Sequence, residues 1–163
     1  MKITLTTGTG TGSTLLSAFD AALQDCGVSN YNVLVLSSVI PPHSQIVKER
    51  YVTPDREYGN RLYVVRAERR CDIPGKFIGA AVGWYQREDE GGLFVEHEMC
   101  GDSQEEVEQR LRSDVTNSMK DLCRFRNYPC TENDIHIEMN VSQVQNTPAC
   151  VLVMAVYKSE TWE

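Results

Sequence analysis

The spacing of apolar residues along this chain predicts two helices. From about residue 15 to 25 apolar side chains recur at the helical period, and Gly27 then provides a C-terminal stop. Ser103 and Glu106 form a capping box at the start of the second helix, which ends before Pro129. Its apolar stripe comprises Val107, Leu111, Val115, Met119 and Leu122. Because each helix is apolar on one face only, each is expected to cover one side of a sheet.

Strands are predicted where apolar and polar residues alternate, and where short apolar runs occur. They cover residues 2–7, 33–36, 61–67, 77–86, 93–99, 135–141 and 149–157. The runs at 33–36 and 149–157 are almost entirely apolar, which is typical of buried strands. Residues 43–60 are polar and are expected to form an irregular connection. Gly79 and Gly83 would weaken a lone strand, so close packing by a neighbouring element is expected there.

These elements together predict an α+β fold. The strands outnumber the helices, and their short connections favour antiparallel pairing. If helices cover one face of each sheet, the opposite faces must pack together. We therefore expect a four-layer αββα sandwich of largely antiparallel sheets, completed within one chain or with a neighbour. No linker or repeat divides the 163 residues, so a single domain is expected.

The composition limits the classes of function. A net charge of −7 disfavours nucleic-acid partners, and the apolar runs are too short to span a membrane. The six cysteines include no CxxC pair and the three histidines lie far apart, so no metal site is expected. The first residues lack the apolar core of a signal peptide. Reduced cysteines in a cytoplasmic protein are therefore the favoured interpretation.

The segment GTGTGS at residues 8–13 invites comparison with dinucleotide-binding loops. That fingerprint requires a third glycine where this chain has Ser13. It also requires an acidic residue at the end of the next strand, where Ser37 and Ser38 stand. A phosphate-binding loop is excluded because no Gly-Lys-Ser/Thr sequence closes the segment. We expect a flexible turn here, at the edge of a pocket.

Ser37 and Ser38 lie between a predicted strand and the pair Pro41-Pro42. The prolines fix their own φ angles and bias the preceding residues toward extended conformations. Serine pairs are common at strand ends, so this stretch alone favours ordinary loop chemistry over a peptide bond that cleaves itself. No GxSxG motif and no suitably placed histidine support a hydrolase triad.

Three carboxylates are candidates for chemistry. Within LFVEHEM, Phe94, Glu96 and Glu98 face the same side of a strand, and the two carboxylates are about 7 Å apart. If one of these carboxylates is partly buried, its burial and the charge of the other carboxylate would both raise its pKa. The buried group would then be suited to act as a general acid. An outward strand face is still the favoured interpretation of this stretch taken alone. Asp20 lies at the border of the first helix's apolar face, where a solvated side chain is the usual case.

Taken together, these stretches resemble the pyruvoyl-dependent arginine decarboxylase family. The resemblance extends from about Thr14 to Lys158 and includes SAFDAAL, GVSNYNVLVLSSVIPP, LFVEHE and ACVLVMAVYK, in the same order and with similar spacing. Its most specific part is the pattern N-x-N-x-x-x-x-S-S-x-x-P-P, because this family makes its cofactor from the second serine.

The resemblance implies a self-processing amino-acid decarboxylase. The chain would be cleaved between Ser37 and Ser38 into a β chain of residues 1–37 and an α chain of residues 38–163. Ser38 would become a covalently bound pyruvoyl group, with no metal involved. This group forms a Schiff base with the substrate and accepts the electrons left by CO₂, as pyridoxal does in other enzymes. The implied reaction converts L-arginine to agmatine and CO₂.

The resemblance also implies roles for individual residues. Asn32 matches an asparagine that helps to hold the scissile carbonyl or the pyruvoyl oxygen. Glu96 matches the acid that protonates the substrate carbon, with Glu98 as the backup candidate. Asp20 matches a carboxylate that binds the cationic end of the substrate. The family implies a homotrimer of cleaved protomers with active sites at subunit interfaces.

Two stretches depart from the family pattern, and two alternatives for function remain open. GTGTGS replaces a more acidic segment, and VEHEMCGD differs from the usual E-Y-E-G turn. Both are expected to reshape the substrate pocket. The alternatives are a decarboxylase of another cationic amino acid such as lysine, and a non-catalytic oligomeric relative that binds amines.

Overall fold

The computed structural model describes residues 1–163 as two β-sheets packed face to face, with one helix on the outer face of each. This confirms the four-layer αββα sandwich. The helices are α1 (Leu15–Cys26) and α2 (Gln104–Phe125). The strands are β1 (Lys2–Thr11), β2 (Asn32–Val35), β3 (Val39–Ile40), β4 (Gln45–Lys48), β5 (Arg61–Cys71), β6 (Phe77–Arg87), β7 (Gly91–Gly101), β8 (His136–Gln143) and β9 (Ala149–Glu160).

The two sheets differ in strand order and direction. The five-stranded sheet has the order β2-β5-β9-β1-β4, and the four-stranded sheet has the order β3-β7-β6-β8. All pairs are antiparallel except β2 with β5 and β1 with β4. Strands β2 and β3 are edge strands of different sheets, so the chain passes from one sheet to the other between them.

Three apolar layers hold the sandwich together. The central layer lies between the sheets, and each helix encloses a further layer against its own sheet. The predicted close packing at the β6 glycines is confirmed. A Cβ atom on Gly79 would lie 2.4 Å from Val107 Cγ1, and one on Gly83 would lie 2.2 Å from Val115 Cγ1. The side chains of α2 therefore rest directly on the β6 backbone.

The expected turn at the GTGTG segment is wrong, because these residues continue β1 to Thr11. Their glycines face α1 at very short range. A Cβ atom on Gly8 would lie 2.2 Å from the Ala22 carbonyl oxygen, and one on Gly10 would lie 2.3 Å from Ala22 N. The segment is glycine-rich because a helix packs against its backbone, and it forms no loop that a ligand could enter.

Two further expectations are corrected. Residues 43–60 include β4, which pairs in parallel with β1, and a short 3-10 turn at Asp55–Glu57. The predicted buried strand at 33–36 is observed as β2, but it lies at a sheet edge. Leu34 is 40% exposed and Val35 is 55% exposed. An apolar run therefore lies on the surface of the protomer.

Both helices begin with a side-chain cap. Thr14 Oγ1 accepts a hydrogen bond from Ser17 N at 3.0 Å, and Ser103 Oγ accepts one from Glu106 N at 3.2 Å. The Glu106 carboxylate accepts from Asp102 N at 2.9 Å. The predicted capping box thus differs in one hydrogen bond. The Glu106 side chain accepts from the amide of Asp102 and not from that of the N-cap residue Ser103.

Neither helix has an apolar stretch of the length that a membrane crossing requires.

Candidate active site

The Ser37-Ser38 peptide bond lies where the chain crosses between the two sheets. Before it, Leu36 N donates a hydrogen bond to Val64 O at 2.8 Å, as an extension of the β2–β5 pairing. After it, Phe94 N donates to Ser38 O at 2.8 Å, as an extension of the β3–β7 pairing. The bond is therefore anchored to a different sheet on each side.

Ser38 has an unusual backbone conformation. Its φ angle is +67°, in the left-handed region that residues with a side chain rarely adopt. Such a conformation costs on the order of 1–3 kcal/mol and persists only when the surrounding structure imposes it. Here the hydrogen bonds on both sides impose it. Strain is thus concentrated at the residue that follows the candidate scissile bond.

Glu96 contacts Ser38 directly. Strand β7 alternates as predicted: Phe94 belongs to the central apolar layer and Val95 to the layer under α2. Glu96 therefore points to the same side as Phe94, and Ser38 Oγ donates a hydrogen bond to its carboxylate. Glu98, two residues further along β7, is exposed.

The environment of Glu96 favours its protonated form. Burial raises the pKa of this carboxyl above its ordinary value of 4.5, and the charge of Glu98 raises it further. The hydrogen bond from Ser38 and the charge of His97 act in the opposite direction without cancelling the effect of burial. The side chain is therefore suited to donate a proton.

A cavity of about 470 Å³ opens beside these residues. Ser37 and Ser38 line it where the chain crosses between the sheets, and Glu96 lines it from β7. On the side of α2 it is lined by His97, Ser118 and Asp121. His97 Nε2 and Ser118 Oγ share a hydrogen bond of 2.8 Å. The sequence did not predict that α2 lines the cavity. The positions of Ser118 and Asp121 along α2 do not distinguish them from the other polar residues of the helix.

Within one protomer, Asp20 and Asn32 are not part of this cavity. Asp20 is exposed on α1, and its only side-chain hydrogen bond comes from Gln24 Nε2 at 3.5 Å. Asn32 begins β2, and its amide donates to Gly59 O at 2.7 Å. It precedes Ser38 by six residues of extended chain, a span of roughly 20 Å at strand spacing. Asn32 therefore lies far from Ser38 of the same chain.

The arrangement is suited to rearrangement of a peptide bond. A hydroxyl adjacent to the bond is oriented by a carboxylate, the backbone is strained, and a cavity admits water and small molecules. No histidine forms a hydrogen bond with Ser38 Oγ, so the geometry differs from that of a serine hydrolase triad.

The chain matches known proteins over nearly its whole length. Residues 2–161 match the family model described as pyruvoyl-dependent arginine decarboxylase. A pyruvoyl-dependent arginine decarboxylase of Halobacterium salinarum is 29% identical over 161 residues, covering 98% of this chain and 96% of the relative. The relative of that name from Thermococcus kodakarensis is 37% identical, covering 69% of each chain. That from Thermoplasma volcanium is 31% identical, covering 63% of this chain and 58% of its own length.

Proposed function

We propose that this chain, which belongs to the pyruvoyl-dependent arginine decarboxylase family, converts L-arginine to agmatine and CO₂. The cofactor is a pyruvoyl group that the chain makes from Ser38 by cleaving itself after Ser37. The observation that carries this proposal is the contact between the hydroxyl of a strained Ser38 and the carboxyl of Glu96, beside an open cavity. A residue with these properties fits a cofactor precursor.

Self-processing starts with attack of Ser38 Oγ on the carbonyl carbon of Ser37, and an ester replaces the peptide bond. The hydrogen bond to Glu96 orients Oγ, and relief of the backbone strain at Ser38 favours the reaction. Removal of the Ser38 α-proton with cleavage of the Cβ–Oγ bond then separates residues 1–37, with a carboxylate end, from the rest of the chain. Water replaces the amino nitrogen of residue 38, ammonia leaves, and a ketone caps the chain before Val39.

The residues around Ser38 have distinct tasks in decarboxylation. The pyruvoyl group supplies a carbonyl that binds the substrate amine and accepts the electrons left by CO₂. Glu96 donates a proton to the substrate carbon, for which its raised pKa is suited. Glu98 is the backup donor, and its exposure makes it the weaker candidate. The Phe94 amide holds the carbonyl of residue 38, which is retained after cleavage.

Asp20 is the proposed anchor for the cationic end of the substrate. Its carboxylate forms no ion pair within the protomer, and a carboxylate can bind a guanidinium through two parallel hydrogen bonds. An ammonium group would form a less directional contact. This favours arginine over lysine as substrate.

We also propose a homotrimer of cleaved subunits, in which each site lies between two neighbours. Three observations support it: the remoteness of Asn32 from its own Ser38, the open cavity, and the exposed apolar surface beside the serine pair. Leu34, Val35 and Val39 are 40%, 55% and 56% exposed, respectively. Burial of such side chains would stabilise an assembly by about 25 cal/mol per Å². The expected cytoplasmic location stays a prediction.

Denaturing mass spectrometry of the purified protein tests self-processing. We expect two chains, residues 1–37 and a ketone-capped residue 38–163 fragment, and agmatine as the product of an amino-acid panel. Ser38→Ala should leave one chain without activity, whereas Ser113→Ala, on the exposed side of α2, should be cleaved normally. An intact wild-type chain would falsify self-processing, and product from lysine alone would overturn the substrate assignment.

Complementation between two inactive variants tests the shared site. Asn32→Ala and Glu96→Gln each remove one component of every site. If neighbouring subunits contribute these residues, co-expression produces mixed trimers in which some sites retain both. We expect activity to return on co-expression and to be strongly reduced in each variant alone. A lack of recovery from mixed assemblies, verified by native mass spectrometry, would contradict the interface site.

A further inference from the structure

Cleavage after Ser37 removes the covalent tether of the segment that carries the cofactor. The residues that precede the bond now belong to the other fragment, which still contributes β1, α1 and β2 to the fold, and residue 38 becomes a chain end. Strand β3 contains only Val39 and Ile40, so its pairing with β7 is short. A reactive ketone at the end of a short edge strand needs further contacts to keep its position relative to Glu96.

The hydroxyl of Tyr157 supplies such a contact from the opposite sheet. Tyr157 lies on β9 of the five-stranded sheet, and its Oη donates a hydrogen bond to Val39 O at 2.8 Å. Val39 is the first residue after the future pyruvoyl group. The hydrogen bond therefore connects the two sheets one residue away from the cofactor. Neither of its partners is altered by cleavage.

The ring of Tyr157 is half-buried and has an aromatic neighbour. It packs edge-on against Phe94, with ring centroids 6.2 Å apart, on the strand that carries Glu96. Burial raises the pKa of the Tyr157 phenol, and Glu96 raises it further when its carboxyl group is ionised. The hydroxyl thus remains a hydrogen-bond donor throughout the neutral pH range.

We infer that Tyr157 is a positioning residue for the cofactor-bearing chain end, acting through the carbonyl of Val39. Together with the Phe94 amide on the carbonyl of residue 38, its hydroxyl fixes two successive carbonyl groups. One hydrogen bond comes from each sheet, so the chain end is clamped between them. This inference rests on the proposed function, since it requires the cut after Ser37.

Tyr157→Phe tests the inference, because it removes the hydroxyl and keeps the ring on Phe94. We expect cleavage to go to completion and the KM for arginine to change less than about twofold, while kcat falls about tenfold, as expected for loss of one positioning hydrogen bond. The second readout is hydrogen exchange at the Phe94 amide, which should become about tenfold faster in the cleaved variant as the chain end loosens.

Tyr63→Phe is the matched control. Tyr63 also donates its hydroxyl to one acceptor, Glu160 at 2.6 Å, on the same β5–β9 pair. This variant should keep the wild-type kcat and Phe94 exchange. Unchanged kcat and exchange in cleaved Tyr157→Phe, or equal losses in both variants, would overturn the inference alone. An uncleaved or inactive wild-type chain would overturn the proposed function and this inference with it.

Discussion

Two runs that are rich in apolar residues have opposite positions in this protein. The central run, residues 149–156, forms most of β9 and is buried along its whole length between β5 and β1. The edge run, residues 32–40, contains β2 and β3, and much of its apolar surface is exposed. Residues 33–36 are as apolar as the central run, so hydrophobicity alone does not distinguish these two strands. Their difference comes from the number of neighbouring strands that each one has.

This difference shows how the fold divides its tasks. The central run stabilises the sandwich, because it contributes side chains both to the layer between the sheets and to the layer under α1. The edge run contributes one fully buried side chain, Ile40, to the layer between the sheets. It carries the strained Ser38 across the gap between the sheets and leaves apolar side chains for a neighbour to cover. Substitutions in the two runs should therefore affect different properties.

The largest expected effect is a loss of kcat on substitution of Glu96, which contacts Ser38 of the edge run. Glu96→Gln keeps an acceptor for Ser38 Oγ, so the chain should still be cleaved. The variant cannot donate the proton, so kcat should fall by about 10²- to 10⁴-fold, the range typical of a lost general acid. Steady-state kinetics on fully cleaved protein measure this effect. Glu105→Gln, on the exposed face of α2, is the control, and a Glu96→Gln variant with normal kcat would refute the assignment.

A pair of leucine truncations compares the runs directly. Leu152→Ala in the central run, at a fully buried position, should lower the free energy of unfolding by about 2–5 kcal/mol. Leu34→Ala in the edge run should cost the isolated protomer less than about 1 kcal/mol. It should instead weaken assembly, detected as dissociation at higher protein concentration by sedimentation or light scattering. Equal losses of unfolding free energy, without any change in assembly, would contradict the division of tasks.

The smallest expected effect concerns the pH dependence of catalysis. Because Glu96 must be protonated to act as an acid, kcat should fall as pH rises through its pKa, which burial keeps above 4.5. Glu98→Gln removes a negative charge that raises this pKa. The inflection should therefore move to lower pH, by less than about one unit, because Glu98 is exposed. A shift to higher pH, or the same shift in Glu105→Gln, would contradict this coupling.

Local patterns predicted the elements of the fold well and their environment less well. The alternation of LFVEHEM correctly placed Glu96 on the side of Phe94, and the stripe on α2 predicted its buried face at Val107 and Leu111. The glycines of β1 led to the wrong prediction of a turn, because glycine-rich sequences occur both in turns and in strands under a closely packed helix. The distinction depends on α1, whose approach to β1 is a tertiary property.

By itself, the sequence determined the two helices, most strands, the αββα class and the likeness to one family, because these depend on local periodicity and on residue order. Tertiary structure alone decided that the Ser37-Ser38 bond bridges two sheets, that Ser38 is strained, and that Glu96 contacts its hydroxyl. It also separated Asn32 from Ser38 and brought Tyr157 to Val39. These relationships join residues distant in the chain, and they depend on which strands become neighbours when the sheets pack.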